Sequence, residues 1–173
     1  MNIWKPSVTV AAVIEERGRF LLVEEETVSG VRLNQPAGHL DPGETLLHAV
    51  VREALEETAH HVVPIALVGV YLSRFRHLPT ETDVTYLRFA IACRLADRPG
   101  GAHEPNRPLD RGILRTHWLD SATVRRRHAE HRSELVMHVV DDYEAGRRFP
   151  LEMLQATDDF IEFSPEHTTG LRP

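Results

Sequence analysis

The sequence predicts one α/β domain over residues 1–154, with a mixed β-sheet sandwiched between helices in α/β/α layers, followed by a polar C-terminal tail over 155–173. Three observations lead there. Apolar, β-branched runs of strand length are interspersed with helical patterns, Gly- and Pro-rich stretches separate them, and no segment repeats or falls to low complexity. A length of 173 residues with 42% apolar composition suits a single full core rather than a disordered chain.

The elements follow in order. SVTVAAVI (7–14) and RFLLVEEE (19–26) read as a strand pair with Gly18 in the turn between them. TVSGVRLNQPAG (27–38) is broken by Gly and Pro and reads as loop with a short strand. DPGE opens a helix from about Glu44 toward His60. IALVGVYLSRF (65–75) and DVTYLRFAIACRL (83–95) are longer strands joined by LPTET, and 96–112 is a loop rich in Pro, Gly and charge. ILRTHWL (113–119) is a strand, with Trp118 expected in the core. SATVRRRH and SELVMHVVDDYEAGRR are helical, the second because Leu135, Val136, Val139, Val140 and Tyr143 recur at three- and four-residue spacing. Arg125, Arg126 and Arg127 read as a solvated basic run, and the tail from Gln155 as partly mobile.

Composition narrows the partners. A net charge of −6 argues against a nucleic-acid polymer, whose binders carry a basic face, but leaves room for a small phosphorylated metabolite if a cation reverses the local sign. The single cysteine, Cys93, excludes an intrachain disulfide and a cysteine zinc cluster, and fits a cytoplasmic setting. MNIWKPSVTVAAVIEE lacks the basic start and long apolar run of a signal peptide and reads as a buried strand, and no segment is long and apolar enough to span a membrane. No long heptad seam is visible, and the expected state is a monomer or a homodimer.

The helix near residue 50 carries the chemistry. With about 100° per residue, Glu57 falls about 40° and Glu56 about −60° from Glu53, so the acids share one face. Leu47, Val50, Val51, Ala54 and Thr58 lie on a different face, which can pack. Like charges one turn apart destabilise a helix, and a hard divalent cation offsets that repulsion; oxygen-only ligands favour Mg²⁺ or Mn²⁺ over zinc. Arg52, four residues before Glu56, is placed to orient a carboxylate, and Glu44 sits near the helix start, where the macrodipole favours negative charge.

Gly38, Glu44, Arg52, Glu53, Ala54, Glu56 and Glu57 match the box G-x5-E-x7-R-E-U-x-E-E-x-G-U, where U is aliphatic, and the chain thereby resembles the Nudix hydrolases. Ala59 and His60 depart from the closing Gly and aliphatic residue. Ala in a left-handed cap carries a steric cost, so the helix is expected to end a residue or two later, before Pro64. KPSVTVAAVI, FLLVEEE, NQPAGHLDPGETL, YLRFAIACRL and GRRFPLEML extend the resemblance over residues 5 to 154 to the NudJ-type subgroup. That subgroup tends to carry Trp just before NQPAG, where Leu33 stands here.

The resemblance implies a Nudix fold and hydrolysis of phosphoanhydrides in nucleoside di- and triphosphates or hydroxymethylpyrimidine pyrophosphate, with release of orthophosphate. It implies that Glu53, Glu56 and Glu57 hold Mg²⁺, with Mn²⁺ as the alternative, and that the carbonyl of Ala37 or Gly38 adds a ligand. Glu53 or Glu56 is a candidate general base, and Glu104 and Asp110 are candidate loop carboxylates. Arg52 orients glutamates; Asn34, Gln35 and His39 are candidate substrate contacts or fix the loop, Arg88 is a candidate phosphate contact or a solvated strand arginine, and Glu152 is a further residue near the site or a capping or salt-bridge residue. His60 and His61 are adjacent rather than a turn apart and read as structural. Two other readings compete. A nucleotide-sanitising pyrophosphohydrolase would release pyrophosphate instead, and a non-catalytic Nudix ligand-binding module would be expected to lack box carboxylates that are present here.

Overall fold

The computed structural model describes residues 4–77 and 82–157. LPTET between the long strands and the tail lie largely outside the described residues. Among the described residues, seven strands form one mixed sheet: β1 (Ser7–Glu16), β2 (Arg19–Thr27), β3 (Gly30–Asn34), β4 (Ala37–His39), β5 (Val62–His77), β6 (Thr82–Leu95) and β7 (Ile113–Asp120). The helices are α1 (Leu46–Thr58), α2 (Ser121–Arg126) and α3 (Leu135–Glu144), with single 3-10 turns at His128–Glu130 and Leu151–Met153.

The strand order is β3-β2-β1-β6-β5, with β4 added to β1 and β7 to β2. β1 is the hinge of the sheet. From Ser7 to Ile14 it runs parallel to β6, and Thr9, Val10 and Ala11 also pair antiparallel with β4; its last residues, Glu15 and Glu16, pair with β2. The sheet divides there, and α1 fills the space beside the division.

Alternation along the strands sends side chains to two cores. Val10, Ala12, Ile14, Ile91 and Cys93 pack against Ala49, Val50 and Ala54 of α1. Val13, Ala90 and Ala92 pack on the opposite face against Val124 of α2 and Val136, Val139 and Val140 of α3. This is the α/β/α arrangement the sequence predicts. Each fully buried Val or Ile contributes roughly 1.5–3 kcal/mol, so the apolar face of α1 fixes where its acidic face must lie. Burial also raises the Cys93 thiol to about 12, which leaves it an inert core group.

Several boundaries differ from expectation. The β1–β2 turn uses Arg17 as well as Gly18 in the left-handed region, at φ 52° and 78°, the pattern of a two-residue hairpin turn. Residues 27–38 contain one strand and the start of another rather than one strand in a loop. β5 begins at Val62 and includes Pro64, which is tolerated because β5 is an edge strand with a register shift at Pro64/Ala66. α3 is shorter than read, ending ahead of Gly146 at φ 80°. Arg125 is paired rather than free: it bridges α2 to Asp141 of α3 at 2.9 Å. No helix among the described residues is long and apolar enough to cross a membrane.

α1 starts at Thr45, whose hydroxyl accepts from the His48 N–H, and stops where the closing Gly of the box would stop it. Ala59 itself takes the left-handed conformation, φ 56°, with its N–H donating to Leu55 O at 2.9 Å. The expectation of a later end is therefore wrong, and the reason is tertiary. The Glu104 N–H donates to Ala59 O and the His61 N–H to Ala102 O, both at 2.8 Å, so the 102–104 loop clamps the turn. His60 is buried behind it, stacked on His103 at 4.5 Å and edge-on to Trp118 at 5.9 Å, in the structural role expected.

Replacing Ala59 by Gly sets opposed effects against each other. Relief of the left-handed backbone gains roughly 1–2 kcal/mol. Loss of a methyl in a residue 2% exposed costs about 0.8 kcal/mol, and the freer unfolded chain costs about 0.4–1 kcal/mol. Ala59→Gly is expected to leave stability within about 1 kcal/mol of wild type, a change of at most about 4 °C in Tm. A larger gain in a thermal melt would show a turn under more strain than its clamp relieves.

Candidate active site

The acidic face of α1 is organised by one cation. Arg52 donates through Nε and Nη2 to both oxygens of Glu44 at 2.9 Å, through Nη1 to Glu53 at 2.7 Å and Glu56 at 3.0 Å, and through Nη2 to His39 O at 3.0 Å. Its planar fork suits several acceptors at once. Arg52 thus orients glutamates, as the spacing predicted. Glu44 differs from expectation: it precedes the cap residue Thr45 and acts as the Arg52 partner, which holds its carboxyl below the usual range.

The strand facing α1 is cut to fit these acids. The Glu53 carboxylate lies against Gly38 so closely that a Cβ there would stand 2.1 Å from Oε1. Gly38 is required by space, not by backbone angle. Next to it, the Ala37 N–H donates to Glu57 Oε2 at 2.8 Å. Burial pushes Glu53 upward, opposed by Arg52, and pushes Glu57 to about 8, with the charges of Glu53, Glu25 and Asp110 adding to the rise. Gly38→Ala is expected to expel the Glu53 carboxylate from the Arg52 pair. The outcome should be loss of about 2 kcal/mol of stability from overpacking, read by denaturant unfolding, together with most of any activity. Wild-type behaviour in both would refute the close approach.

The structure sorts the remaining candidates. Asp110 reaches the cluster: its charge acts on Glu53 and Glu57, and its N–H is anchored on Glu56 O at 3.0 Å. Glu104 does not, being held by His61 at 2.6 Å, with Arg98 and Arg107 also close. Arg88 is not a solvated strand arginine. Its Nε is sealed from solvent without a partner, Nη1 reaches Asn34 Oδ1 at only 3.4 Å, and burial lowers its pKa while Glu25 and Glu57 pull the other way. Asn34 is buried beside it, and His39 is exposed at the end of β4. Gln35 takes the loop-fixing alternative: it is 1% exposed and donates to Val136 O at 2.8 Å, tying the loop to α3. Glu152 is exposed in the last 3-10 turn and makes no hydrogen bond or ion pair among the described residues.

Glu25 was missed. It lies on β2 beside a register shift at Glu24/Glu25, with Oε1 buried and unpartnered and Oε2 3.4 Å from Arg132. The run of acids closing VEEE was the available signal, since three glutamates in a strand cannot all face water on one side.

The donor chemistry fits a hard divalent cation: carboxylates only, crowded onto one face of α1, where Glu56 adds its charge to the rise of Glu53 and Glu53 to that of Glu57. Arg52 or a backbone N–H engages one oxygen each of Glu53, Glu56 and Glu57, and the second oxygen of each has no described partner. Among the described residues no three acidic, His or Cys groups yet converge for an ion, so holding one requires these side chains to rotate inward.

Known proteins place this geometry. The NUDIX domain profile matches residues 4–139. The chain is similar to Phosphatase NudJ of Escherichia coli (strain K12), 36% identical over 153 residues, covering 88% of this chain and 92% of that protein. The same figures hold for Phosphatase NudJ of Shigella boydii serotype 4 (strain Sb227). Among solved structures, a NUDIX hydrolase from Nitrosomonas europaea is 44% identical with a TM-score of 0.78, covering 89% of this chain and 99% of that one. With the box carboxylates, their arginine and the glycine they pack against all in place, the chain belongs to the Nudix hydrolases.

Proposed function

We propose that this hydrolase cleaves phosphoanhydride bonds in small nucleoside di- or triphosphates or pyrimidine pyrophosphates, depends on Mg²⁺ or Mn²⁺, and releases orthophosphate. The observation that carries the reading is the pairing of two opposite features: the carboxylate cluster of Glu53, Glu56 and Glu57, and within its field the guanidinium of Arg88, whose Nε is sealed from solvent without a partner and whose Nη1 has only the long bond to Asn34 Oδ1 at 3.4 Å. A carboxylate cluster alone repels a phosphate chain; a cluster that holds a metal, flanked by a desolvated guanidinium, attracts one.

Glu53, Glu56 and Glu57 would hold the cation. When bound, it supplies charge neutralisation on the phosphate oxygens and acidifies water. Arg52 keeps two of those carboxylates aimed, and Arg88 takes a phosphate oxygen, with Asn34 restraining the guanidinium. Water adds to phosphorus, the bond to the leaving phosphate breaks, and the water proton passes to a carboxylate of the cluster, with Asp110 and Glu56 the accessible acceptors. The 36% identity to proteins named Phosphatase NudJ supports orthophosphate as the product.

The test is a panel of nucleoside di- and triphosphates and hydroxymethylpyrimidine pyrophosphate, with and without Mg²⁺, and with products separated. Orthophosphate released only with metal is expected. Pyrophosphate from triphosphates would favour the sanitising reading, and no turnover of any member would end the proposal.

A further inference from the structure

We infer that Tyr86 of β6, with Phe75 of β5 and His39 of β4 beside it, forms a subsite for a planar ring of the substrate. This rests on the phosphohydrolase reading above and specifies which part of the substrate is recognised beyond its phosphates.

The placement follows from strand geometry. Tyr86 and Arg88 are two residues apart on β6, so their side chains leave the same face of the sheet about 7 Å apart along the strand. Arg88 aligns with Thr9, and Thr9 with His39, which puts His39 in the adjoining row of that face. Tyr86 aligns with Ser7 on one side and Ser73 on the other, so its cross-strand neighbours are small, and it is half-buried. The rings adjoin: Phe75 meets Tyr86 edge-on at 5.7 Å between centroids, and His39 lies tilted toward Tyr86 at 6.0 Å. Phe75 remains 43% exposed and His39 is exposed.

An aromatic row of this kind, kept out of both cores and ending at a guanidinium whose Nε has no partner, matches a ligand with a ring at one end and phosphates at the other. Phe75 and Tyr86 meet at 78°, so the two rings are not stacked face to face on each other. Leu33, which stands where an aromatic would precede NQPAG, is 1% exposed and presents no surface to a ring. Ring recognition therefore falls to β6. Stacking tolerates different bases, so the subsite selects for the presence of a pyrimidine or purine ring rather than for one base.

The measurement is ring preference, defined as kcat/KM for a nucleoside diphosphate divided by kcat/KM for inorganic tripolyphosphate, with Mg²⁺ present. Tyr86→Leu keeps apolar bulk against Phe75 but removes the π face, and its ring preference is expected to fall roughly tenfold, most of it in KM. Tyr86→Phe keeps the face and should stay within about threefold of wild type. A preference unchanged in Tyr86→Leu, or lowered equally in both variants, would overturn the assignment. If wild type hydrolyses neither compound, the phosphohydrolase reading fails by itself. The subsite is then read by saturation-transfer NMR with an unphosphorylated nucleoside: a ring-proton signal that disappears in Tyr86→Leu and persists in Tyr86→Phe supports it, and any other pattern refutes it.

Discussion

Glu57→Gln is expected to lower hydrolysis by about 10²-fold or more while leaving the metal-free protein at least as stable as wild type. The two effects have separate causes. Gln keeps the shape of the side chain and an oxygen to accept from the Ala37 N–H, which donates to Glu57 at 2.8 Å. It cannot supply the negative charge that a divalent cation requires. Stability moves the other way because burial and the charges of Glu53, Glu25 and Asp110 raise Glu57 to about 8 from its ordinary 4.5. An acid whose pKa is higher folded than unfolded binds more protons in the native state between those values. Its contribution is present in full below about 4.5 and is lost as pH rises through about 8. The glutamine variant lacks that loss. In EDTA its advantage should widen by at most about 1.4 kcal/mol per pH unit across the window and level off above it. Urea unfolding at several pH values, alongside turnover with Mg²⁺, measures both. A variant that is inactive and also markedly less stable would point to a framework role for Glu57.

Parts of this arrangement are legible in the sequence. The box spacing assembles Arg52, Glu53, Glu56 and Glu57 because all sit on one helix, where a fixed angular step turns position into direction. The apolar face of α1 and the alternation of β1 and β6 can be read for the same reason, and together they imply the layers. What stays hidden depends on interactions between distant segments. Gln35 reads as a loop amide free to meet a ligand, but α3 lies over it, and Val136 is 101 residues away. Asp110 and Glu104 are equivalent loop acids until the chain path brings one to Glu56 and gives the other to His61. VEEE signals that one of its acids turns inward, but that it is Glu25 depends on a register shift against β7. The end of α1 shows the same limit: propensity disfavours Ala59 in a left-handed cap, but backbone bonds from the 102–104 loop decide.

Arg52→Ala should be the most destabilising single change on the acidic face, by about 3 kcal/mol near neutral pH without metal, or roughly 6–12 °C in Tm. The size follows from what is left behind rather than from the bonds removed. Glu53 is buried with its carboxylate against Gly38, and Glu44 has only 14% of its side chain exposed. Without the guanidinium both are unpaired, and Glu53 and Glu56 repel each other one turn apart on the helix. Arg52→Lys should recover only part of the loss, since an ammonium cannot present parallel donors to Glu44 while reaching Glu53 and Glu56. Two conditions should rescue the alanine variant. Acidification protonates Glu53, which burial already raises, so the gap to wild type narrows as pH falls. A saturating divalent cation replaces one positive charge by another and should raise the variant's Tm more than that of wild type, where Arg52 already neutralises two of the same carboxylates. A larger metal response in the variant than in wild type would identify Arg52 and the cation as alternative solutions to one repulsion. Equal responses would mean that Arg52 and the ion act on different carboxylates, and that the acidic face was folded for its arginine rather than for a metal.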